Sequence, residues 1–586
     1  MKKFITIILL LLVSNGYSQK IMTPVIPDVM GNISVINNEF AKSVFAFEAN
    51  AFTLFPGFPI HIQYNTQEGA IYCNMDSDPE FEIVYNIGYT VQAFNLDGSS
   101  VPGWPKTVAS YAMDGSPSFG DIDGDGQGEI VVTNHGATSG GYIYAYKKNG
   151  TVCTGFPVNH GYTTRTPVLA DVNNDGKMEI IVNKRTYPTG WVYVYKGDGT
   201  VLTGWPKATA TVPASSAAVG DIDNDGIPEI ITESYSSIYA FKPNGDSIPG
   251  FPFVLPNGDN TSYSSPVLAD VDNDNKREII FGTHSSSGGF VYILKQNATV
   301  LTGWPKTTDN WVYGPPAVGF IDNDNILDIA VGDQVLSGTP ADKLYAWNVN
   351  GTALTGFPVT GLNAINDQVS LADIDGDGMT ELIIDDNTQT LTDTLGQYLA
   401  FNHDGTPVTG WPLIVKGTTM FSTPCFGDLN SNGILDMTGA GIQGFGNGSY
   451  TNVYAWNTGM AYAPLKNYVP MWQYNTRHNG VYGDYLQVGI NNVDTKIPEK
   501  FSLYQNYPNP FNPSTNIRFE IPKGGQFVSL KVYNILGREV SILVNQQLNP
   551  GTYGVQWNAE KNSSGVYFYR LETGNFVETK KMLLIK

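Results

Sequence analysis

Eight acidic loops of nine residues recur along the sequence, and they carry the oxygen ligands that a hard divalent cation prefers. Successive loops begin 47 to 55 residues apart, the first at Asn74 and the last at Asp428. In a tight turn, side-chain oxygens at loop positions 1, 3 and 5 converge on one centre, position 7 adds a backbone carbonyl, and a carboxylate at position 9 closes the shell. Glycine or asparagine at position 6 permits the sharp turn. The residue types and their spacing therefore predict calcium binding.

Six loops keep the pattern closely, the first loop departs from it in its other residues, and the sixth loop has lost the side-chain oxygen at position 1. In the six loops the predicted ligands, with position 7 contributing its carbonyl, are Asp121, Asp123, Asp125, Gln127, Glu129, Asp171, Asn173, Asp175, Lys177, Glu179, Asp221, Asp223, Asp225, Ile227, Glu229, Asp270, Asp272, Asp274, Lys276, Glu278, Asp373, Asp375, Asp377, Met379, Glu381, Asp428, Asn430, Asn432, Ile434 and Asp436. In the first loop and in the sixth, which begins with Phe320, the candidates are Asn74, Asp76, Asp78, Glu82, Asp322, Asp324 and Asp328. The alternative for any one loop is an ordinary turn rich in Asp and Asn, but eight loops in phase favour metal sites.

The charge of the chain supports several structural calcium ions. The sequence has 54 acidic and 33 basic residues, a net charge of −21, and 27 of the acidic residues occupy loop positions 1, 3, 5 and 9. Without a cation, each loop would hold like charges close together, which is unfavourable. The acidity also argues against nucleic acid as a partner, because nucleic-acid binding needs a basic face.

Four short β-strands can be assigned in each repeat around its acidic loop. In residues 164–209 strand A is TPVLAD, strand B is EIIVN after the loop, strand C is WVYVYK, and strand D is VLTGWPK. Four antiparallel strands repeated around an axis form a β-propeller. The prediction is an all-β chain with an eight-bladed propeller, or a seven-bladed one with an irregular unit, followed by a small antiparallel β-sandwich.

A Gly-aromatic-Pro motif keeps the same period as the loops. It occurs eight times, at Gly57, Gly103, Gly155, Gly204, Gly250, Gly303, Gly356 and Gly410. Proline suits an outer edge strand, where its missing N–H costs no ladder bond. We predict that the aromatic ring fills the gap between adjacent blades.

The two ends of the chain differ from the repeats. Residues 1–18 have two lysines, an apolar run and small residues, which predicts a secretory signal peptide. The propeller should span 43–482, and its N-terminal strands, within Ser43–Pro59, should pair with the last blade and close the ring. A polar linker at 483–500 then leads to the sandwich at 501–586. No apolar run is long enough to span a bilayer.

Two resemblances rest on these motifs. The acidic loops between strands resemble the FG-GAP and VCBS repeats of integrin-α-like propellers, and Pro470–Gly480 (PMWQYNTRHNG) resembles a tail found after such secreted propellers. The motifs YPNPFNP from Tyr507, VYNILGR from Val532, GVYFYR from Gly565 and KKMLLIK from Lys580 resemble the type A sorting domain of the type IX secretion system. That resemblance implies the type IX secretion machinery as a partner and a location in the medium or on the outer cell surface, reached through the periplasm.

A ligand surface is expected on the propeller face opposite the acidic loops, here the top face, where the D–A and B–C loops lie. Loops on a rigid scaffold are the usual place for function. The candidates are Tyr111, Tyr162, Arg165, Arg185, Tyr187, Tyr235, Tyr263, Trp311, Tyr313 and Phe421, and they would suit a glycan or a protein.

The sequence contains no H-E-x-x-H, G-x-S-x-G or phosphate-loop motif. No catalytic residue is assigned, and we favour an adhesion or ligand-binding module. The alternative is a secreted polysaccharide-degrading enzyme, such as a lyase, on a calcium-bearing propeller. Cys73, Cys153 and Cys425 are expected to be buried thiols without a disulfide bridge.

Overall fold

The structure, a computed structural model, describes most of the two predicted domains. Described are residues 52–484 and 500–585, with gaps at 77, 79, 109–111, 114, 136–139, 262, 323, 325, 336–340, 388–394, 445–447, 464–465, 513, 523–525, 536, 549–550, 560–561 and 575, and the strands Val25–Pro27, Ile33–Val35 and Ile490–Asp494. The predicted signal peptide, the first residues of the predicted N-terminal strand pair and Tyr111 lie outside the described residues.

Eight antiparallel sheets follow one another along the chain and form eight propeller blades, as predicted. From the inner to the outer strand they are Ile71–Cys73, Glu82–Ile87, Thr90–Phe94 and Lys106–Thr107 in blade 1; Ser118–Gly120, Glu129–Thr133, Tyr142–Tyr146 and Val158–Asn159 in blade 2; Thr163–Ala170, Glu179–Lys184, Gly190–Tyr195 and Lys207–Thr209 in blade 3; Ala218–Gly220, Glu229–Ser234, Ser237–Phe241 and Phe253–Val254 in blade 4; Val267–Ala269, Glu278–Gly282, Gly289–Leu294 and Lys306–Thr308 in blade 5; Ala317–Gly319, Asp328–Gly332, Asp342–Asn348 and Val359–Leu362 in blade 6; Ser370–Ala372, Glu381–Asp386, Gly396–Phe401 and Leu413–Val415 in blade 7; and Cys425–Gly427, Ile434–Gln443 and Tyr450–Ala461, with Thr53–Leu54 and Ile60–Gln63, in blade 8.

Blade 8 closes the ring with strands from both ends of the propeller. Thr53–Leu54 and Ile60–Gln63 both pair with the outer edge of Tyr450–Ala461, so the N-terminal segment supplies strand D. This confirms that N-terminal strands complete the last blade. The sequence assigned a C–D pair to the N-terminal segment, whereas strand C of this blade comes from Tyr450–Ala461.

Strand D begins later than predicted. In blade 3 Val201 makes only an isolated bridge with Tyr195, and strand D starts at Lys207, after the Gly-aromatic-Pro motif. The motif is instead a contact between blades: a Cβ on Gly204 would lie 2.3 Å from the Asn244 carbonyl oxygen of the next blade. The Trp205 indole N–H donates to the Pro243 carbonyl oxygen at 2.8 Å, which confirms that the ring fills the gap between blades.

The chain after blade 8 returns through the centre of the ring. This axial segment, residues 466–484, accepts hydrogen bonds of 2.8 to 3.0 Å from the inner strands of six blades. The donors are the backbone N–H groups of Phe119, Leu169, Val219, Leu268, Val318 and Phe426. The axial segment therefore satisfies the inner strand edges, which would otherwise be open. It contains the Pro470–Gly480 motif found in the sequence.

Two four-stranded sheets form the C-terminal sandwich. In hydrogen-bonded order they are Ile490–Asp494, Gly551–Asn558, Ser514–Ile521 and Ser502–Leu503, and Glu539–Leu548, Gln526–Asn534, Gly565–Thr573 and Phe576–Leu584. Ile490–Asp494 lies in the predicted linker yet pairs with Gly551–Asn558, so the sandwich takes a strand from before residue 501. The two sheets share one apolar core that includes Phe519, Trp557 and Tyr569.

Cys73, Cys153 and Cys425 are buried free thiols, as predicted. Within the described ranges, no helix has the length and apolarity needed to cross a membrane.

Candidate functional site

The acidic loops share one hydrogen-bond pattern, which places the position 9 carboxylate beneath each turn. This carboxylate lies at the start of strand B, or two residues into it in blade 8, and accepts the backbone N–H of loop position 2 in all eight loops, from Glu82 with Met75 to Asp436 with Leu429. Position 1 accepts the N–H of position 6, as in Asp121 with Gly126 at 2.8 Å. Position 5 accepts the N–H of position 7, as in Asp125 with Gln127 at 2.8 Å. Each turn thus holds its side-chain oxygens together through its own backbone.

Five loops bring three carboxylates within 4.8 Å of one another. These clusters are Asp76, Asp78 and Glu82; Asp121, Asp123 and Glu129; Asp221, Asp223 and Asp225; Asp270, Asp272 and Glu278; and Asp373, Asp375 and Glu381. The first loop, which the sequence ranks as less complete, is among them. The loops of blades 3 and 8 replace some carboxylates with Asn173, Asn430 and Asn432, so their oxygen sets are mixed. In blade 6 the ring of Phe320 packs edge-on against Tyr468 with centroids 5.8 Å apart, and position 1 supplies no side-chain oxygen.

Among the residues that the structure describes, several buried oxygens in these loops have no hydrogen-bond partner, which fits a role as cation ligands. They are Glu229 Oε1, Asp328 Oδ1, Glu381 Oε1 and Asn430 Oδ1. A buried carboxylate oxygen without a partner is costly. Burial raises the pKa of Glu229 to about 7 and that of Glu381 to about 8, with a further rise from neighbouring loop carboxylates. A bound cation would satisfy these oxygens and favour the ionised carboxylates. The residues present therefore fit calcium.

A lysine contacts the carboxylates in two blades. Lys147, which follows strand C of blade 2, places Nζ 2.5 Å from Asp123 Oδ2, 2.7 Å from Asp125 Oδ2 and 2.9 Å from Glu129 Oε1. In blade 5 the equivalent Lys295 lies 2.5 Å from Asp272 Oδ2. The Lys147 and Lys295 ammonium groups already place a positive charge among the loop carboxylates, so a cation that bound there would have to displace them.

The equivalent position carries an amide in other blades. Asn348 Nδ2 donates to Asp324 Oδ2 at 3.0 Å in blade 6, and Asn457 Nδ2 donates to Asp436 Oδ1 at 3.1 Å in blade 8. An amide is neutral and also offers an oxygen ligand. Two loops are therefore contacted by a lysine and two by an amide. This difference was not predicted, although the two asparagines lie directly opposite the position 9 residue in the neighbouring strand and the lysines recur with the same period.

Two cavities lie on the top face and contain most of the predicted ligand residues. The axial cavity, about 330 Å³, is lined by Arg165, Arg185, Tyr263, Tyr313 and Phe421 among the predicted residues. The lateral cavity, about 690 Å³, is lined by Tyr162, Arg185, Tyr187 and Tyr235. Both volumes are in the range of small-molecule sites. Trp311 lies beside the axial cavity, where its ring is parallel to that of Tyr313 with centroids 6.2 Å apart.

Other residues of the axial cavity were not predicted, although their positions are regular. These residues are Gln67, Ala214, Gln334, Asn366 and Met420. His135, which also lines the cavity, lies in a B–C loop, where ligand residues were expected. Gln67, Ala214 and Asn366 each lie seven residues before the first residue of an acidic loop, as do Tyr263, Tyr313 and Phe421. The seven-residue offset from the acidic loops would therefore have identified Gln67, Ala214 and Asn366. The search for aromatic and charged side chains did not find them.

Backbone conformation and ring stacking fix the aromatic wall of the axial cavity. Tyr263 and Phe421 have φ angles of 70° and 60°, and Arg165 has 56°. Non-glycine residues with positive φ cost energy and often occur at binding sites. The Tyr263 and Tyr313 rings stack with centroids 4.9 Å apart, and the Arg165 guanidinium lies 4.7 Å from the Tyr263 centroid.

The two arginines differ in their partners. Arg165 is buried and forms an ion pair with Glu68 at 3.3 Å, so much of its charge is neutralised within the protein. Arg185 is half-buried and lies 5.7 Å from the centroid of the Tyr162 ring. Burial alone would lower the pKa of the Arg185 guanidinium. The interactions with Tyr263 and Tyr162 have the larger combined effect, so the pKa is raised.

Comparison with known families identifies both parts of the chain. Residues 505–586 match the family described as a secretion system C-terminal sorting domain, and residues 121–182 match the FG-GAP-like repeat. The chain is an FG-GAP-like repeat protein with a type IX secretion sorting domain. The matched FG-GAP-like segment runs from the blade 2 loop into strand B of blade 3. The sorting domain indicates secretion to the outer surface or the medium and implies interaction with the secretion machinery.

Solved structures similar to this FG-GAP-like repeat protein share little sequence with it. The biofilm matrix protein Bap1 of V. cholerae has 14% identity and a TM-score of 0.48, over 72% of this chain and 93% of Bap1. The C-terminal domain of Pseudomonas aeruginosa PilY1 has 11% identity and a TM-score of 0.24, over 78% and 93%. A glycoside hydrolase has 12% identity and a TM-score of 0.20, over 71% and 96%. A search of curated proteins found no match.

Proposed function

We propose that this protein is a secreted, calcium-stabilised propeller that binds a ligand through its top face. Calcium ions in the acidic loops would hold the lower turns of the blades, and the opposite face would present the binding residues. The observation that carries the binding function is the axial cavity, to which all eight blades contribute a side chain from Gln67 in blade 1 to Phe421 in blade 8. A site shared by all blades is rigid because every wall is fixed by a separate sheet.

The calcium ligands would be the side-chain oxygens of positions 1, 3, 5 and 9 in each loop, with the carbonyl of position 7. Calcium would supply a positive charge at the centre of each carboxylate cluster. The partnerless oxygens of Glu229 and Glu381 support blades 4 and 7 most directly. Blade 6 has the fewest ligands, because Phe320 provides none.

Replacing Lys147 with methionine should destabilise the calcium-free protein but not the calcium-saturated protein. The variant loses three contacts between an ammonium and carboxylates and leaves Glu129 Oε1 without that partner. Because Lys147, Asp123 and Asp125 are partly exposed to solvent, we expect the free energy of unfolding to fall by about 1 kcal/mol without calcium. Calcium should then raise the melting temperature more in Lys147→Met than in the wild type.

Lys196→Met is the matched control for this experiment. Lys196 follows strand C of blade 3 in the same way, but its ion pair is with Asp198, at 3.8 Å and outside the acidic loop. Melting curves with and without calcium compare the three proteins. An equal calcium-induced rise in all three would show that Lys147 does not compete with calcium.

Aromatic side chains on the top face favour a carbohydrate or protein ligand. Tyr187 and Tyr235 are 91% and 39% exposed, and they line the lateral cavity beside Tyr162. Large exposed aromatic surfaces mark binding sites on soluble proteins. Tyrosine also combines an apolar ring with a polar hydroxyl, which suits recognition surfaces.

A polysaccharide lyase is the second candidate, and one feature favours it. His135 and Tyr313 line the axial cavity together with Arg165 and Arg185, so possible proton-transfer groups lie near cationic groups. A lyase needs a base near the sugar and a positive charge near its carboxylate. The binding and enzyme proposals share this face and differ in whether the ligand is broken down.

Screening the calcium-loaded protein against immobilised polysaccharides and surface proteins tests the binding function. We expect capture of a ligand, loss of capture in Tyr313→Ala, and no release of unsaturated products on prolonged incubation. Capture that persists in Tyr313→Ala would place the ligand elsewhere and contradict the top-face proposal. Release of unsaturated products with turnover would instead establish the lyase.

A further inference from the structure

Arg185 lies where the two top-face cavities meet. Its side chain lines both the axial and the lateral cavity, and their volumes are about 330 and 690 Å³. Among the residues that the structure describes, no carboxylate forms an ion pair with Arg185, whereas Arg165 is paired with Glu68. The side-chain partners of this half-buried guanidinium include Tyr263, through a hydrogen bond, and the ring of Tyr162, so its positive charge stays available to an acidic ligand although the chain has a net charge of −21.

We propose that Arg185 binds the carboxylate of a hexuronic acid in an acidic polysaccharide, and that the tyrosines of the lateral cavity pack against its sugar rings. The proposal rests on the proposed function, because it names the ligand class of the same face. The guanidinium matches a carboxylate in shape and forms two parallel charge-assisted hydrogen bonds with it.

The lateral cavity has the composition that a sugar ring requires. Tyr162, Tyr187 and Tyr235 provide aromatic surface for the C–H face of the ring. Thr211, Ser236 and Asn260 provide donors and acceptors for the ring hydroxyls. An acidic peptide would also match Arg185, but its carboxylate side chains offer no flat C–H face of the kind that the three neighbouring tyrosine rings accommodate. The surroundings of Arg185 therefore favour an acidic sugar over a peptide.

The shared position of Arg185 also suits a polymer. Because one guanidinium lines two cavities, a sugar bound in the lateral cavity can continue toward the propeller axis past Arg185. Tyr263 and Tyr313, stacked in the axial cavity, would then contact the next residue of the polymer. We expect affinity to increase with oligosaccharide length until both cavities are filled.

Titration calorimetry with oligogalacturonate and with its methyl ester tests the proposal. The ester keeps the sugar ring and the linkage but removes the negative charge. Both probes are short oligomers, used in excess calcium so that the acidic probe does not strip calcium from the loops. We expect the acid to bind and the ester to bind at least about tenfold more weakly, as for loss of a charged hydrogen bond.

Two variants and a control assign the effect to Arg185. Arg185→Met should lose at least about tenfold in affinity for the acid, and Arg185→Lys should lose less, because it keeps the charge but not the paired geometry. Lys242→Met removes the same charge from an exposed position after strand C of blade 4, away from the top face, and should bind like the wild type. Melting curves in calcium establish that each variant is folded.

Equal binding of acid and ester, or an unchanged affinity in both Arg185 variants, would overturn the proposal. If polyglutamate bound as tightly as oligogalacturonate, the assignment of the ligand as an acidic sugar would be overturned. Binding of a neutral glycan that depends on Tyr313 but not on Arg185 would overturn this inference and leave the top-face binding function standing. Failure to capture any ligand in the wider screen would overturn the proposed function itself.

Discussion

A chain that ends at Tyr462 should fail to form a stable propeller, whereas a chain that ends at Asp484 should melt at the temperature of the propeller in the full-length protein. The shorter chain lacks the axial segment and leaves the inner strands of six blades without the partners of their backbone N–H groups. Six hydrogen bonds contribute about 3 to 9 kcal/mol in total. Burial of Trp472 and Tyr474, both almost inaccessible to solvent, adds several more. The combined loss is comparable to the whole stability of a typical domain.

Circular dichroism melting and size-exclusion chromatography measure this difference. A synthetic peptide of residues 466–484 provides a further control, because it should restore part of the stability of the shorter chain when added in trans. A shorter chain that melts cooperatively at the same temperature as the longer one would show that the inner strand edges need no axial segment.

Removal of calcium should cause the second large loss of stability. An ion that binds only the folded protein stabilises it by about 2.7 kcal/mol when its concentration is a hundred times Kd. If only the loops of blades 4 and 7 were filled, chelation would cost about 5 kcal/mol on this basis. We therefore expect a much lower melting temperature after chelation, and full recovery when calcium is added back.

A single variant links this loss to one loop. Glu381→Gln removes the charge of a buried position 9 carboxylate whose Oε1 has no partner, so it should reduce the calcium-dependent stabilisation. Asp404→Asn, in the C–D turn of the same blade, removes the same charge from an exposed turn outside the loop and should leave that stabilisation unchanged. An equal effect of the two variants, measured by melting curves across a calcium titration, would contradict the assignment of Glu381 as a ligand.

The repeated features of the fold could be predicted because they are local. The acidic loop positions, the apolar strands A and B that flank them and the sorting motifs all lie within short stretches of sequence. The hydrogen bond from position 2 to the position 9 carboxylate spans seven residues and recurs in every blade. Eight repetitions of one local pattern predicted a propeller and favoured eight blades over the seven-bladed alternative, and the structure has eight.

Features that depend on contacts between blades could not be predicted. The prediction that strand D includes Gly204 and Trp205 was wrong, because both residues contact the C–D turn of blade 4 at Pro243 and Asn244. Strand D of blade 3 begins after them, at Lys207. The motif Pro470–Gly480 in the axial segment resembles a tail found after secreted propellers. The path of this segment through the ring, however, depends on backbone N–H groups of inner strands as distant in sequence as Phe119.

On the top face, too, the contacts of single side chains could not be predicted from the sequence. Arg165 and Arg185 were both predicted as top-face loop residues, but Arg165 lies in strand A of blade 3, Thr163–Ala170, and the two side chains have different partners. Arg165 is paired with Glu68, which is 97 residues away. The loop lysines are a different case: Lys147 has a periodic position, and the prediction missed it because lysine is not a calcium ligand.

The number of calcium ions that the secreted protein retains tests the central claim most directly. Native mass spectrometry of protein purified in calcium, compared with protein treated with a chelator, gives this number. We predict at least two retained ions, loss of one ion in Glu381→Gln, and no loss in Asp404→Asn. A protein that retains no calcium, yet melts at the same temperature before and after chelation, would contradict the claim that calcium in the acidic loops stabilises the propeller.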